Sequence, residues 1–245
     1  MRTFYAPPNQ ISSEKISITG NEKHHLSNVL RLSVNDEIRV LDGHGNAYIA
    51  VLTKDDKEKT IARILEHQYS PLPPFRIKLI QGLPKFNKMD LIVQKCTELG
   101  VDEFIPVICH RTIPKLSEES AHKRLKRWQQ IVIGACKQSG RMHFPKIHPI
   151  IEFEKWHEEG PESELNLIFW TGEKKQKLKD ILKSNVQTKS ASLLVGPEGG
   201  FTNHEIAQCI QLGAIPVSFG NRILRTETAA IAGLTILLYE FGRLG

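Results

Sequence analysis

The spacing of apolar and polar positions changes once along this chain, near residue 70. Before that point the period is two. Residues 16–18, 37–41, 47–53 and 60–67 read as short strands, the later ones joined by Asp42-Gly43-His44-Gly45-Asn46 and by a charged turn at 55–59. Residues 22–30 make the one helical insertion. Short strands with tight turns and a single helix predict a small barrel. Ser70-Pro71-Leu72-Pro73-Pro74 then reads as a short stiff linker, because its prolines disfavour the interior of both helix and sheet. It divides the chain into 1–70 and 75–245.

Beyond the linker, strands alternate with helices. Residues 77–81 and 104–109 are strand-like, 89–99 form an amphipathic helix stopped by Gly100, and 118–138 form a long one. Strands follow at 165–170, 193–195 and 215–219, with a helix at 176–183 and an apolar helix over 229–241. This alternation predicts an α/β domain with a mostly parallel sheet covered by helices on both faces.

The chemistry concentrates between residues 193 and 230. LLVGPEGGF (193–201) and PVSFGNRILRTETAA (216–230) each run from an apolar strand through a glycine-bearing loop into a helix start. Two such loops at neighbouring strand ends make a ligand crevice, since ligands of open α/β sheets bind outside the carboxyl ends of the strands. Gly196, Gly199, Gly200 and Gly220 let backbone approach a ligand without a Cβ in the way. Thr202 with Glu205 forms a capping box, Gly213 suits a helix C-terminus, and Thr226 reads as the N-cap of the last helix with Glu227 in its first turn.

GPEGG and RILRTETA, together with ELG (98–100), ACKQSGR (135–141) and HHLSNVLR (24–31), resemble the SPOUT class of S-adenosylmethionine-dependent RNA methyltransferases. Within that class the similarity is to the family that methylates N3 of a uridine in 16S ribosomal RNA. The motifs span nearly the whole chain; Phe219 stands where family members more often carry leucine. The resemblance implies a PUA-like RNA-binding β-barrel over 1–70 and a SPOUT methyltransferase domain over 75–245 with a C-terminal trefoil knot. It also implies S-adenosylmethionine as cofactor, a homodimer with the cofactor site near the subunit interface, and a cytoplasmic enzyme acting on the small ribosomal subunit.

Three strand ends deliver small or glycine-bearing loops, and these define the expected cofactor contacts. They are Thr171 and Gly172; Val195, Gly196, Pro197, Glu198, Gly199 and Gly200; and Phe219, Gly220, Asn221, Arg222, Ile223 and Leu224, with Thr228 just beyond. Arg225 follows directly on the last loop and is the expected donor to the uracil anion formed when N3 loses its proton. Glu227 and Glu198 are candidate bases. Each has a plainer alternative, Glu227 as a helix-dipole partner and Glu198 as a loop brace, and Arg222 is placed to brace a carboxylate.

A formal net charge of +6 suits a polyanionic partner. Lys85, Lys88, Arg111, Lys137, Gln138 and Arg141 fall at loop positions that α/β topology can bring to one face, and Arg2 and Arg31 belong to the β-module. Lys123, Arg124, Lys126 and Arg127 follow the polar face of a helix, with equal weight for RNA contact and for simple solvation. Four cysteines, without C-x-x-C spacing and set in apolar segments, read as reduced thiols. No apolar run approaches the roughly 20 residues of a membrane span, and no signal pattern opens the chain. Adjacent His24 and His25 point in different directions on a helix, so no metal is expected.

Other classes fit less well. A nicotinamide oxidoreductase needs G-x-G-x-x-G directly after an early strand, which is missing. A non-catalytic RNA-binding protein would share the charge but has no use for the loop pair, and a methyltransferase of the same fold acting on another RNA remains open.

Overall fold

The computed structural model describes residues 1–113, 116–159 and 162–244. The chain divides into two compact units, Met1–Leu72 with Ile133–Phe144, and Pro73–Val132 with Pro145–Gly245. The segment Ile133–Phe144, which the sequence reading leaves in the C-terminal domain, therefore groups with the N-terminal unit.

In the first unit β1 (Arg2–Tyr5), β2 (Lys15–Thr19), β3 (Glu37–Leu41), β4 (Asn46–Asp55) and β5 (Lys59–Tyr69) form one curled sheet in the order β1-β3-β4-β5-β2. β1 pairs parallel with β3 and the other pairings are antiparallel. The register of β4 against β5 slips between Ile49 and Ala50 and again between Leu52 and Lys54, the kind of irregularity that bends a strand. Phe4, Ile16, Ile18, Leu26, Ile38, Val40 and Leu52 fill the core. The insertion starts as α1 (Gly20–His24) and widens into a π-helical turn over His25–Val29, so the one helix read from the sequence has two geometries. The Asp42–Asn46 turn closes locally: an Asp42 carboxylate oxygen accepts from the backbone N–H of His44 at 2.7 Å and of Asn46 at 3.0 Å. Gly45, at φ 96, is needed there, since a Cβ would stand 2.5 Å from the His143 ring and 2.7 Å from the Ser70 carbonyl oxygen.

The second unit is a seven-stranded sheet whose pairings are all parallel. Its elements run β6 (Arg76–Gly82), α2 (Lys88–Leu99), β7 (Glu103–Ile108), α3 (Glu118–Ser139, of which the part from Ile133 onward groups with the first unit), β8 (Lys146–Ile147), β9 (Ile151–Glu152) and α4 (Phe153–Glu159). They continue with β10 (Leu165–Phe169), α5 (Leu178–Ser184), β11 (Ser190–Val195), α6 (Asn203–Gln211), β12 (Ile215–Val217) and α7 (Thr226–Glu240). The strand order is β12-β10-β11-β6-β7-β8, with β9 also pairing with β7. Strands β6, β10 and β11 are buried nearly throughout, which explains their continuous apolar texture.

α7 packs flat on this sheet because Gly233 carries no side chain; a Cβ there would run into the Phe169 ring. Ala229, Ala230, Leu234, Leu237 and Leu238 bury around it. Burying each leucine is worth about 1.5–3 kcal/mol relative to exposing it. β1, β8, β9 and α4 are elements that the hydrophobic pattern does not show. All four cysteines are buried and unpaired. Among the described residues no helix is long and apolar enough to cross a membrane.

Candidate active site

Parallel pairing brings the carboxyl ends of the strands to one edge. Gly82 lies opposite Val107, Val195 opposite Gln81, Ile168 opposite Leu194, and Phe169 opposite Val217. The loops after β6, β10, β11 and β12 therefore leave the sheet side by side. Contact between the first and third is intimate, since a Cβ on Gly82 would stand 2.5 Å from Pro197 Cδ and 2.7 Å from Pro197 N. Gly200 (φ 66) and Gly220 (φ 85) hold left-handed backbone, and a Cβ built on either meets open space. The loops thus turn with room in front of them, as a bound molecule requires.

Beneath the loops lies a buried polar clasp. Gln81 Nε2 donates to the Gly82 carbonyl at 2.8 Å, to the Val195 carbonyl at 3.3 Å and to the Thr226 hydroxyl at 3.0 Å. Thr226 Oγ1 in turn donates to the Gly196 carbonyl at 2.6 Å. The expected role of Thr226 as N-cap is corrected by this geometry. Arg225 holds the N-cap position without a side-chain cap bond, and the Thr226 hydroxyl is spent on joining the α7 start to the β6 and β11 ends. Gln81 itself was not foreseen; its signal is one amide in the apolar run Leu79-Ile80-Gln81-Gly82.

Lys88 ties two carboxylates together. Its Nζ lies 2.9 Å from Glu198 Oε1 and 3.3 Å from Glu227 Oε2. Both contacts are ion pairs, and Glu227 Oε2 is buried and accepts no directed hydrogen bond. Glu198 also accepts the Lys85 backbone N–H at 3.1 and 3.2 Å. Partial burial opposes ionisation of Glu198, but the Lys88 ammonium and the backbone N–H groups outweigh it and hold its carboxyl below the ordinary value. Pairing with the Glu198 carboxylate, and with that of Glu227, correspondingly holds the Lys88 ammonium above its ordinary value. Lys88, read from the sequence as an RNA contact, is thus engaged by two carboxylates within the chain.

Arg111 is similarly engaged. Its guanidinium donates to the Gly199 carbonyl at 2.9 Å and to the Phe201 carbonyl at 3.4 Å, bracing the glycine loop from the side of β7. The Thr202–Glu205 capping box forms as the sequence predicts, and buried Glu205 additionally accepts the His110 N–H at 2.9 Å. Gly213, at φ 80, follows the α6 C-cap as expected.

The remaining sequence-derived residues scatter around this edge or lie in the other unit. Thr171, Gly172, Asn221, Arg222, Ile223, Arg225 and Thr228 are exposed, and Phe219 packs its ring 4.2 Å from that of Phe169. The side chains of Arg222 and Arg225 make no hydrogen bond or ion pair among the described residues. In the first unit Arg2, Arg31 and Gln138 are exposed, Arg31 at φ 53. Lys137 is not available in the same way, since it pairs with Glu22 at 2.7 Å and lies over the Phe4 ring. A cavity of about 540 Å³ lies elsewhere among the described residues, against Lys78, Ile80, Glu103, His148, Trp156 and Ser192. There Lys78 pairs with Glu162 at 2.7 Å and His148 with Glu103 at 2.7 Å, and Lys146 and Lys155 add further positive charge to the lining. No group of three His, Cys, Asp or Glu residues is placed to hold a metal among the described residues.

Comparison with known proteins agrees with this architecture. A family model described as RNA methyltransferase domain matches residues 71–238, and one described as RNA methyltransferase PUA domain matches 18–65. A protein of Synechocystis named Ribosomal RNA small subunit methyltransferase E is 37% identical over 94% of this chain and 76% of its own length. Its namesake in Bacillus subtilis is 32% identical over 91% of this chain and 90% of its own. A crystal structure of Ribosomal RNA small subunit methyltransferase E from Neisseria gonorrhoeae, bound to S-adenosyl methionine, superposes with a TM-score of 0.86 at 38% identity, covering 98% of this chain and 97% of that one.

Proposed function

We propose, from the premise that this chain belongs to the RNA methyltransferase family, that it methylates N3 of a uridine in small-subunit (16S) ribosomal RNA with S-adenosylmethionine as donor. One observation carries the reading. The end of β6, the start of the Gly196–Gly200 loop and the start of α7 are clasped together by Gln81 and Thr226, with open space before Gly200 and Gly220. The names of the relatives and the cofactor of the Neisseria protein support it.

The residues present fit the cofactor. Thr171 and Gly172, Val195 to Gly200, and Phe219 to Leu224 would hold it through backbone groups, with exposed Ile223 offering apolar surface to the adenine and Thr228 at the rim. When bound, S-adenosylmethionine supplies an electrophilic methyl group. The chain's own residues must then present an unpaired uracil, take its N3 proton and steady the resulting anion. Arg225 fits the last task, because its guanidinium has no partner in the chain among the described residues and stands at the positive end of a 15-residue helix. Of the two candidate bases Glu227 fits better. Glu198 already accepts the Lys85 backbone N–H and pairs with Lys88, while the buried Glu227 Oε2 accepts no hydrogen bond and has the Lys88 ammonium at 3.3 Å.

Phosphate contacts are assigned to Arg2, Arg31, Gln138 and Arg141 in the first unit and to Lys85 in the second. Lys88, Arg111 and Lys137 serve within the chain. The division into an RNA-binding module over 1–70 and a methyltransferase domain over 75–245, a trefoil knot at the C-terminus and a cytoplasmic location belong to the same reading. So does a homodimer: Leu91 on α2 and Ile236 and Tyr239 on α7 are exposed, on two helices that pack together. Sedimentation equilibrium at micromolar concentration checks it, a dimer being the expected species.

Single-turnover methylation of small-subunit particles against pH tests the chemistry. Arg225→Ala should lower the rate about a hundred- to a thousandfold at saturating cofactor, and Glu227→Gln should remove the acid limb of the profile while Glu198→Gln leaves its position unchanged. Near-normal rates for Arg225→Ala would refute the anion-stabilising role.

A further inference from the structure

Phe86 lies in the loop between β6 and α2, is 83% exposed, and has φ 54. Both features work against the isolated fold. Left-handed backbone is a true outlier for a bulky side chain, and a ring in water gains no burial; glycine would serve the turn better on both counts. The flanks of the loop are pinned, so the strain is imposed. Lys85 N donates to Glu198, and Lys88 reaches both Glu198 and Glu227. These contacts fix Phe86 outward, one residue from a backbone bond to the glycine loop of the candidate site.

We infer that Phe86 is a stacking platform for a nucleobase of the substrate RNA, holding the strand in register beside the cofactor loops. The inference rests on the RNA methyltransferase reading and adds to it a substrate-positioning residue. A nucleobase is the occupant the surroundings favour. The ammonium of Lys85 makes no hydrogen bond or ion pair among the described residues, and the unpartnered guanidinium of Arg225 stands on the same edge of the sheet. An aromatic ring beside free cations suits single-stranded RNA, where unstacked bases pack on rings and phosphates meet lysine and arginine.

The experiment compares Phe86→Ala, Phe86→Leu, Phe86→Trp and Phe86→Gly. Methylation of small-subunit particles gives kcat/KM, calorimetry gives S-adenosylmethionine affinity, and thermal melting gives stability. Stacking predicts a loss of roughly five- to a hundredfold in kcat/KM for the alanine, leucine and glycine variants. The tryptophan variant should keep wild-type efficiency, cofactor affinity should not move, and Phe86→Gly should melt at or above the wild-type temperature. A leucine variant as active as wild type would mean a plain apolar contact with a protein partner and overturn the inference, as would an alanine variant that loses nothing. Lost cofactor affinity in the alanine variant would make Phe86 a loop support instead. Failure of the wild-type protein to methylate any particle would overturn the RNA methyltransferase reading itself, and this inference with it.

Discussion

The Gln81 amide donates to the Thr226 hydroxyl at 3.0 Å, joining side chains 145 residues apart in a fully buried contact. It makes the first turn of α7 part of the floor under the glycine loop, because the same hydroxyl holds the Gly196 carbonyl.

Thr226→Val keeps the shape of this side chain and removes its hydroxyl. The Gly196 carbonyl loses its donor and Gln81 loses an acceptor, so stability should fall by about 1–3 kcal/mol in urea unfolding. Cofactor affinity should weaken in parallel, and calorimetry on the folded variant reads it directly.

Gly82→Ala adds one methyl group where Pro197 Cδ stands 2.5 Å away and backbone stands 2.7 Å away. The φ of Gly82 is not left-handed, so the effect is steric. Overpacking of this kind costs about 1–3 kcal/mol, and the displaced Gly196–Pro197 backbone should lower S-adenosylmethionine affinity more than RNA affinity.

Arg111→Ala separates bracing from phosphate binding. With its guanidinium engaged by the Gly199 and Phe201 carbonyls, the variant should lose cofactor affinity while the slope of log K against log salt for RNA binding stays as in wild type. A phosphate contact would instead flatten that slope by about one unit.

Acid should loosen the glycine loop. The folded state holds the Glu198 carboxyl below its ordinary value, so the ionised form stabilises the fold above the unfolded pKa, and that contribution disappears as pH falls through the folded one. The stability difference between wild type and Glu198→Gln, measured by denaturation from neutral pH downward, should therefore be constant above the ordinary value of 4.5 and shrink below it. Lys88→Met should abolish most of this pH dependence.

Elements whose residues make their own periodicity were legible in the chain. The strands at 37–41 and 77–81, the helices at 89–99 and 118–138, the Thr202–Glu205 box and the two glycine loops each depend on contacts or conformations within a few residues. What the sequence by itself determined was therefore the α/β class, the break near residue 70 and the position of the loops. Tertiary structure decided the rest. β1 has only four residues and exists through β3; β8 and β9 have two each and exist through β7. No local pattern marks such strands. The same holds for charge: Lys85, Lys88, Arg111 and Lys137 are alike in sequence, yet three are held within the chain, and Lys85 keeps a side chain without hydrogen bond or ion pair among the described residues. An ammonium or guanidinium is satisfied by whichever acceptor folding brings within about 3 Å, and for Lys88 and Arg111 those acceptors lie 88 to 139 residues away in the chain, at Glu198, Glu227 and Gly199.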